Sequence, residues 1–205
     1  MNRRFLPWVV FTLCLSSAVW AQPTPSARPR LLSDSSTPAW LPRGALLGTF
    51  IRNGAVAPEV RLQWQFVFFQ GRTDTLGLLI EPTASFAAVK PDSVVEDDTV
   101  PLTSLQLYSL VLGLGYTSRR PSGFEWGFQI GTGPAWYAAR FRGGTKDEES
   151  YFIGLLDGRA RVGYRVGPMA LGVFVGYGDP YNYRRTSLSR SYVGGLQLGL
   201  YADWR

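Results

Sequence analysis

Phe124-Glu-Trp-Gly-Phe-Gln-Ile-Gly-Thr-Gly-Pro-Ala-Trp136 alternates cleanly: Phe124, Trp126, Phe128, Ile130 and Trp136 fall on one parity, and Glu125, Gly127, Gln129, Gly131 and Gly133 on the other. A period of two marks a β-strand, because successive side chains point to opposite faces. The contrast here is extreme. One face is bulky rings; the other is glycine and polar groups.

The same alternation extends in both directions along the chain. Upstream, Val60, Leu62, Trp64, Phe66 and Phe68 oppose Arg61, Gln63 and Gln65. Leu76, Leu78, Ile80, Pro82, Ala84, Phe86 and Ala88 oppose Gly77, Glu81, Thr83 and Ser85. Tyr108, Leu110, Leu112, Leu114 and Tyr116 are read against Gln106, Ser109, Gly113, Gly115 and Thr117. Downstream, Phe152, Leu156, Ala160, Val162 and Tyr164 oppose Asp157, Arg159, Arg161 and Arg165. Leu171, Val173, Val175 and Tyr177 oppose Gly172, Gly176 and Gly178, and Leu196, Leu198, Leu200, Ala202 and Trp204 oppose Gln197, Gly199 and Asp203. A weaker strand over about 44–53, whose phase the sequence leaves open, completes eight.

Connections alternate in length. Gly71-Arg-Thr-Asp74, Arg119-Arg-Pro-Ser-Gly123 and Val166-Gly-Pro-Met169 read as tight turns. Lys90–Pro101 with Glu96-Asp97-Asp98, Gly143–Ser150, and Gly178 to about Arg190 are longer and more charged. Short turns at one rim and long loops at the other are the arrangement of bacterial membrane barrels, with the short side periplasmic.

Which face points inward decides between a membrane barrel and a soluble one. Eight strands enclose a lumen that side chains fill, and the set Trp64, Phe66, Phe68, Phe86, Phe124, Trp126, Phe128, Trp136 and Phe152 would overfill it. Turned outward, those rings cover a hydrocarbon band of about 25 Å, and the polar residues meet inside. Two aromatic girdles follow. Phe68, Tyr116, Phe124, Trp126, Tyr164 and Trp204 are expected near the short-turn rim, and Phe86, Tyr108, Trp136, Phe152, Tyr177 and Tyr192 near the other. The fold class expected is all-β, an eight-stranded antiparallel up-and-down transmembrane β-barrel over residues 43–205.

The N-terminus reads as an export signal over residues 1–21: Arg3 and Arg4 precede an apolar run ending Val19-Trp20-Ala21. A Pro-rich, poorly ordered lead-in over 22–42 follows. The only cysteine, Cys14, lies in the signal behind Phe-Thr-Leu, so the mature chain is expected to carry neither disulfide nor lipid anchor. Loss of Arg3 and Arg4 leaves 19 cations against 15 anions, or +4; these cations are scattered through turns and alternating positions, which argues against nucleic acid. With 7 Trp, 10 Tyr, 12 Phe and 23 Gly, but no long apolar run after the signal, the composition fits neither a transmembrane helix nor disorder.

The pattern over residues 43–205 resembles the small outer-membrane barrels typified by the OmpA transmembrane domain, OmpX and OmpW. That resemblance implies a location in the cell outer membrane, contact with outer-membrane lipids and lipopolysaccharide, and insertion by the outer-membrane assembly machinery. Leu196-Gln-Leu-Gly-Leu-Tyr-Ala-Asp-Trp204 resembles the terminal strand that this machinery reads, with Arg205 following it.

Residues that carry chemistry are few. The chain has no histidine, the commonest general base and metal ligand, and membrane-barrel enzymes that modify lipid A use one. No catalytic, cofactor-binding or metal site is therefore expected. Arg61, Glu81, Glu125, Asp157, Arg159, Arg161, Arg165 and Asp203 are expected to form an interior charge cluster, either a plug of ion pairs or the selectivity element of a narrow pore. Inward glycines are read as relief of crowding beside Arg and Tyr, with a cavity for a small apolar ligand as the alternative. Glu96-Asp97-Asp98 and Asp147-Glu148-Glu149 lack calcium-loop spacing and read as solvated loops, and Arg184, Arg185 and Arg190 as groups able to meet lipopolysaccharide phosphates. The function expected is a non-enzymatic barrel with a structural or surface-interaction role through its longer loops. The alternatives are a narrow pore or transporter for a small or apolar solute, and a soluble lipocalin-like binding barrel.

Overall fold

The computed structural model describes residues 40–52, 55–88, 102–142, 148–182 and 192–204. The export signal, the lead-in up to residue 39, Glu96-Asp97-Asp98, Asp147, Arg184, Arg185 and Arg190 lie outside these residues. Among the described residues eight strands form: β1 (Gly44–Arg52), β2 (Ala55–Gln70), β3 (Asp74–Ala88), β4 (Leu102–Arg119), β5 (Phe124–Phe141), β6 (Glu148–Val166), β7 (Met169–Tyr181) and β8 (Gly195–Trp204). Each pairs antiparallel with its sequence neighbours, and β1 pairs with β8. The sheet closes into an up-and-down barrel that leaves no edge along its paired length.

The stagger of that closure can be read from the register. A row of paired residues starting at Trp136 runs through Tyr108, Ala84, Val60, Leu47, Leu200, Val173 and Val162, and returns to β5 at Trp126, ten residues from its start. With about 3.3 Å per residue and about 4.8 Å between strands, that offset tilts the strands about 41° and sets a backbone radius of about 8 Å. Only side chains fit inside.

The pleat then assigns each face. Leu47, Val60, Leu78, Leu112, Phe128, Ile130, Leu156, Val173 and Leu200 are exposed on the outside, and the odd positions of β2 up to Val67, of β3 to β6 and of β8 turn inward. In β1 the phase resolves with Leu46 and Phe50 inward, both buried, and Leu47 and Ile51 outward. Gln106, expected opposite the rings, sits outside with them: it shares the parity of Tyr108 and Leu110, and the pleat runs unbroken between them. The inward neighbours are instead Leu105 and Leu107. Tyr192, expected in an outer girdle, is buried in the interior, because it precedes β8 and does not follow its pleat.

Strand β2 starts earlier than the alternation suggests, at Ala55, so only two residues separate it from β1. Pro58 is tolerated because β2 pairs only with β1 there; pairing with β3 begins at Glu59. A bulge between Val67 and Phe69 lets Phe68 and Phe69 both face outward at the short-turn rim.

Glycine is required where neighbouring strands come closest. A Cβ on Gly133 would collide with the Leu110 carbonyl oxygen and would lie 2.9 Å from its carbon. Beside Gly158, on the outer face, there is nothing within 4 Å. Gly133→Val is therefore expected to lower the urea midpoint of the folded barrel sharply, whereas Gly158→Ala shifts it little.

Candidate functional site: the filled lumen

Charged residues on one strand face meet because they are spaced by two. Glu59 and Arg61 share the inner face of β2, and Asp157, Arg159 and Arg161 that of β6. β2 and β6 lie on opposite sides of the ring, so their charges face each other across the lumen.

Arg61 is 0 % exposed and holds the centre. Its Nη1 donates to Asp157 Oδ2 at 3.0 Å, its Nε and Nη2 to Glu59 Oε2 at 3.1 and 3.0 Å, and Nη2 also to Gln197 Oε1 at 3.1 Å. Gln197 Nε2 donates to Asp157 Oδ2 at 2.7 Å. Arg159 donates through Nε to Asp157 Oδ1 at 2.7 Å and through Nη2 to Glu81 Oε2, while Gln63 Nε2 donates to Glu81 Oε1 at 2.7 Å. This band ties β2, β3, β6 and β8 together.

A second band lies toward the short turns. Arg161 donates to Asp203 Oδ2 at 2.7 Å and to Thr117 Oγ1 at 2.8 Å, and its guanidinium stands 4.9 Å over the Tyr201 ring. The Tyr201 hydroxyl donates to Glu125 Oε1 at 3.2 Å. Arg119 and Arg165 approach the other oxygen of Glu125 at 3.4 and 3.7 Å. Across both bands Arg61, Arg119, Arg159, Arg161 and Arg165 balance Glu59, Glu81, Glu125, Asp157 and Asp203. Such neutrality matters because an unpaired charge removed from water costs several kcal/mol.

All eight residues of the expected cluster thus lie on the lumen side, divided between the bands. Gln63, Thr117 and Gln197 of the polar face join them, and so do Glu59, Arg119 and Tyr201, which the sequence reading does not single out. Glu59 stands just before the window in which the alternation is cleanest, and extending the odd parity of β2 by one step finds it. Inward glycines make room for large side chains: a Cβ on Gly172 would stand 2.5 Å from Tyr201 Cε1, and one on Gly199 2.6 Å from Phe174 Cε1.

The half of the lumen toward the longer connections is different. There Phe50, Leu105, Leu107, Val111, Tyr137 and Leu155 pack together, with Ala135, Ala139, Phe141, Ile153, Tyr192 and Val193. The glycine and polar face read from the alternation does not extend to this end. A narrow ring admits apolar side chains as readily as ion pairs, and Leu105, Leu107, Ile153 and Leu155 share the inward parity of their strands. Among the described residues no group of three or more His, Cys, Asp or Glu is placed to hold a metal ion.

No protein-family model matches the sequence, and a search among curated proteins finds no significant relative. Among solved structures, the chain is similar to the crystal structure of Neisserial surface protein A, at 11 % identity and a TM-score of 0.46, over 79 % of this chain and 94 % of that one.

Because Arg61 answers Glu59 and Asp157 at once, Arg61→Ala strands buried carboxylates and is expected to cost about 3–5 kcal/mol in urea unfolding in detergent micelles. Replacing the neutral pair with apolar side chains of similar volume, Arg61→Met with Glu59→Leu, leaves Asp157 to Arg159 and Gln197 and is expected to recover much of that loss. Equal losses in the single and double variants would contradict the pairing.

Proposed function

We propose that this chain is an exported, non-enzymatic outer-membrane β-barrel whose filled lumen serves as a rigid core and whose longer connections make its surface contacts. The observation that carries the reading is the height of the apolar belt. Trp126 and Trp136 stand on one strand ten residues apart, which at about 3.3 Å per residue and about 41° tilt is about 25 Å along the axis. That is the apolar height of a membrane barrel.

The rings at its two boundaries support the same reading. Tyr116 and Trp126 approach to 5.5 Å at the short-turn side, and Phe86, Tyr108 and Trp136 form a row with centroids 5.6 and 5.7 Å apart at the other. Two polar contacts on the outer face stay within the protein: the Tyr181 and Thr132 hydroxyls bond to each other at 2.9 Å, and the Trp64 indole N–H donates to the Trp40 carbonyl at 3.0 Å. Such pairing suits a surface without water.

The outward position of the rings disfavours a soluble barrel that stores an apolar ligand behind them. Side chains packed across the lumen disfavour an open pore. Outer-membrane lipids, lipopolysaccharide and the assembly machinery are the partners that this reading implies. A structural or surface-contact role requires no catalytic group.

The test is depth dependence in lipid vesicles. Ile130 lies near the middle of the belt, 59 % exposed, and Val166 at the short-turn rim, 67 % exposed. Ile130→Arg is expected to destabilise the folded barrel by about 2–4 kcal/mol and Val166→Arg by about 0–1 kcal/mol. Equal, small effects, with protein recovered in the aqueous fraction without detergent, would overturn the membrane reading. Planar bilayers should record no discrete channel openings.

A further inference from the structure

The charges of the lumen balance only when both bands are taken together. In the inner band Arg61 and Arg159 face Glu59, Glu81 and Asp157, two cations against three anions. In the short-turn band Arg119, Arg161 and Arg165 face Glu125 and Asp203, three against two. The positive excess thus lies at the end of the lumen that opens beside the short turns. Arg161 is taken up by Asp203 and Thr117, which leaves the excess on Arg119 and Arg165.

Register brings these two side chains together. Glu125 stands opposite Arg119 in the β4–β5 pairing, and opposite Gly163, two residues before Arg165, in the β5–β6 pairing. Both stems are anchored at the rim: the Arg119 amide donates to the Thr73 carbonyl and the Arg165 amide to the Gly123 carbonyl, each at 2.8 Å. Arg119 Nε and Arg165 Nη2 lie 3.4 and 3.7 Å from the same oxygen, Glu125 Oε2, and so no more than about 7 Å from each other. That oxygen is enclosed yet accepts no hydrogen bond, and the Nε of each arginine has no acceptor. Among the described residues no side-chain hydrogen bond joins either guanidinium to the protein. The two side chains are 22 % and 23 % exposed, against 1 % for Glu125, so solvent at the mouth reaches both arms while the carboxylate stays beneath them.

We propose that Arg119 and Arg165 form an anion site at the short-turn mouth of the lumen, which takes one phosphate group from a free phosphate or from a lipid headgroup at the rim. Two guanidinium groups held at this spacing suit a tetrahedral oxyanion, because different oxygens of one phosphate can each take a charge-assisted hydrogen bond from a different arginine. The bound group supplies the negative charge that the short-turn band lacks. Glu125 competes with it for the same two side chains. Arg72 and Arg120, exposed on the turns, add positive potential outside the mouth that draws anions toward it.

Titration calorimetry of the refolded full chain in maltoside micelles, with inorganic phosphate as the probe at constant ionic strength in chloride, is the first arm of the test. Saturable binding of one phosphate per chain is expected. Arg119→Gln with Arg165→Gln is expected to weaken it at least about tenfold, as the loss of charge-assisted hydrogen bonds implies. Arg119→Lys with Arg165→Lys, which keeps the charges and loses the donor forks, should fall between. Arg120→Gln removes the same charge from an exposed turn and should change binding little. Glu125→Gln should tighten it severalfold, a gain that a purely structural role for the two arginines does not produce. The second arm replaces phosphate with phosphatidylglycerol doped into the micelles, with phosphatidylcholine as control, and counts retained lipid by native mass spectrometry. Phosphate binding lost in the double Gln variant assigns the free anion; retained phosphatidylglycerol lost in that variant assigns the headgroup. Heat-modifiable gel mobility shows that each variant has formed its barrel. Silence in both arms, or a loss in Arg120→Gln equal to that of the double variant, overturns the proposal: the first means no site, the second a general attraction to a basic rim. Neither result bears on the membrane reading, which the vesicle experiment tests separately.

Discussion

The narrowness of the ring governs this molecule. Eight strands offset by ten residues enclose a cylinder whose backbone radius is about 8 Å, so opposite walls lie within reach of one another's side chains. Arg61 on β2 meets Asp157 on β6 across the full lumen. The large outer rings have no room in such a space, and their exclusion produces the apolar belt. A wider barrel of the same composition would have left the charges apart and hydrated.

The inner face responds to this confinement in two ways along the axis. Toward the short turns, carboxylates and guanidinium groups alternate every second residue and interlock across the lumen. Ion pairs of this kind return little net stability after desolvation, but their geometry fits one register only, since a slip by one residue would turn every charge outward. Toward the longer connections, leucine, alanine and aromatic rings pack together and fill the space.

Glycine shows how closely the two faces are linked. Gly172 leaves room for the Tyr201 ring, and Gly199 for that of Phe174. Gly176 leaves room in the same way for the Arg159 side chain, whereas Gly113 and Gly133 admit the backbone of a neighbouring strand. Some of the glycines that appear on the sequence as a polar face with nothing on it are thus the spaces that the inward Phe174, Tyr201 and Arg159 occupy.

The sequence by itself determined the strands, their number, the two-sided alternation and the outward direction of the rings, because a period of two is local and the volume of nine bulky residues needs no coordinates to exceed a narrow lumen. It also placed Arg61, Glu81, Asp157 and Arg159 on one common side. It did not reveal which charges pair, because Arg61 and Asp157 lie 96 positions apart and meet only through the offset at which the ring closes. The bulge that turns Phe68 and Phe69 outward together, the phase of β1, and the inward course of Tyr192 were decided by tertiary structure alone. Each depends on where a neighbouring strand supplies a hydrogen-bonding partner or a packing surface, and alternation along a single strand carries no record of its neighbours.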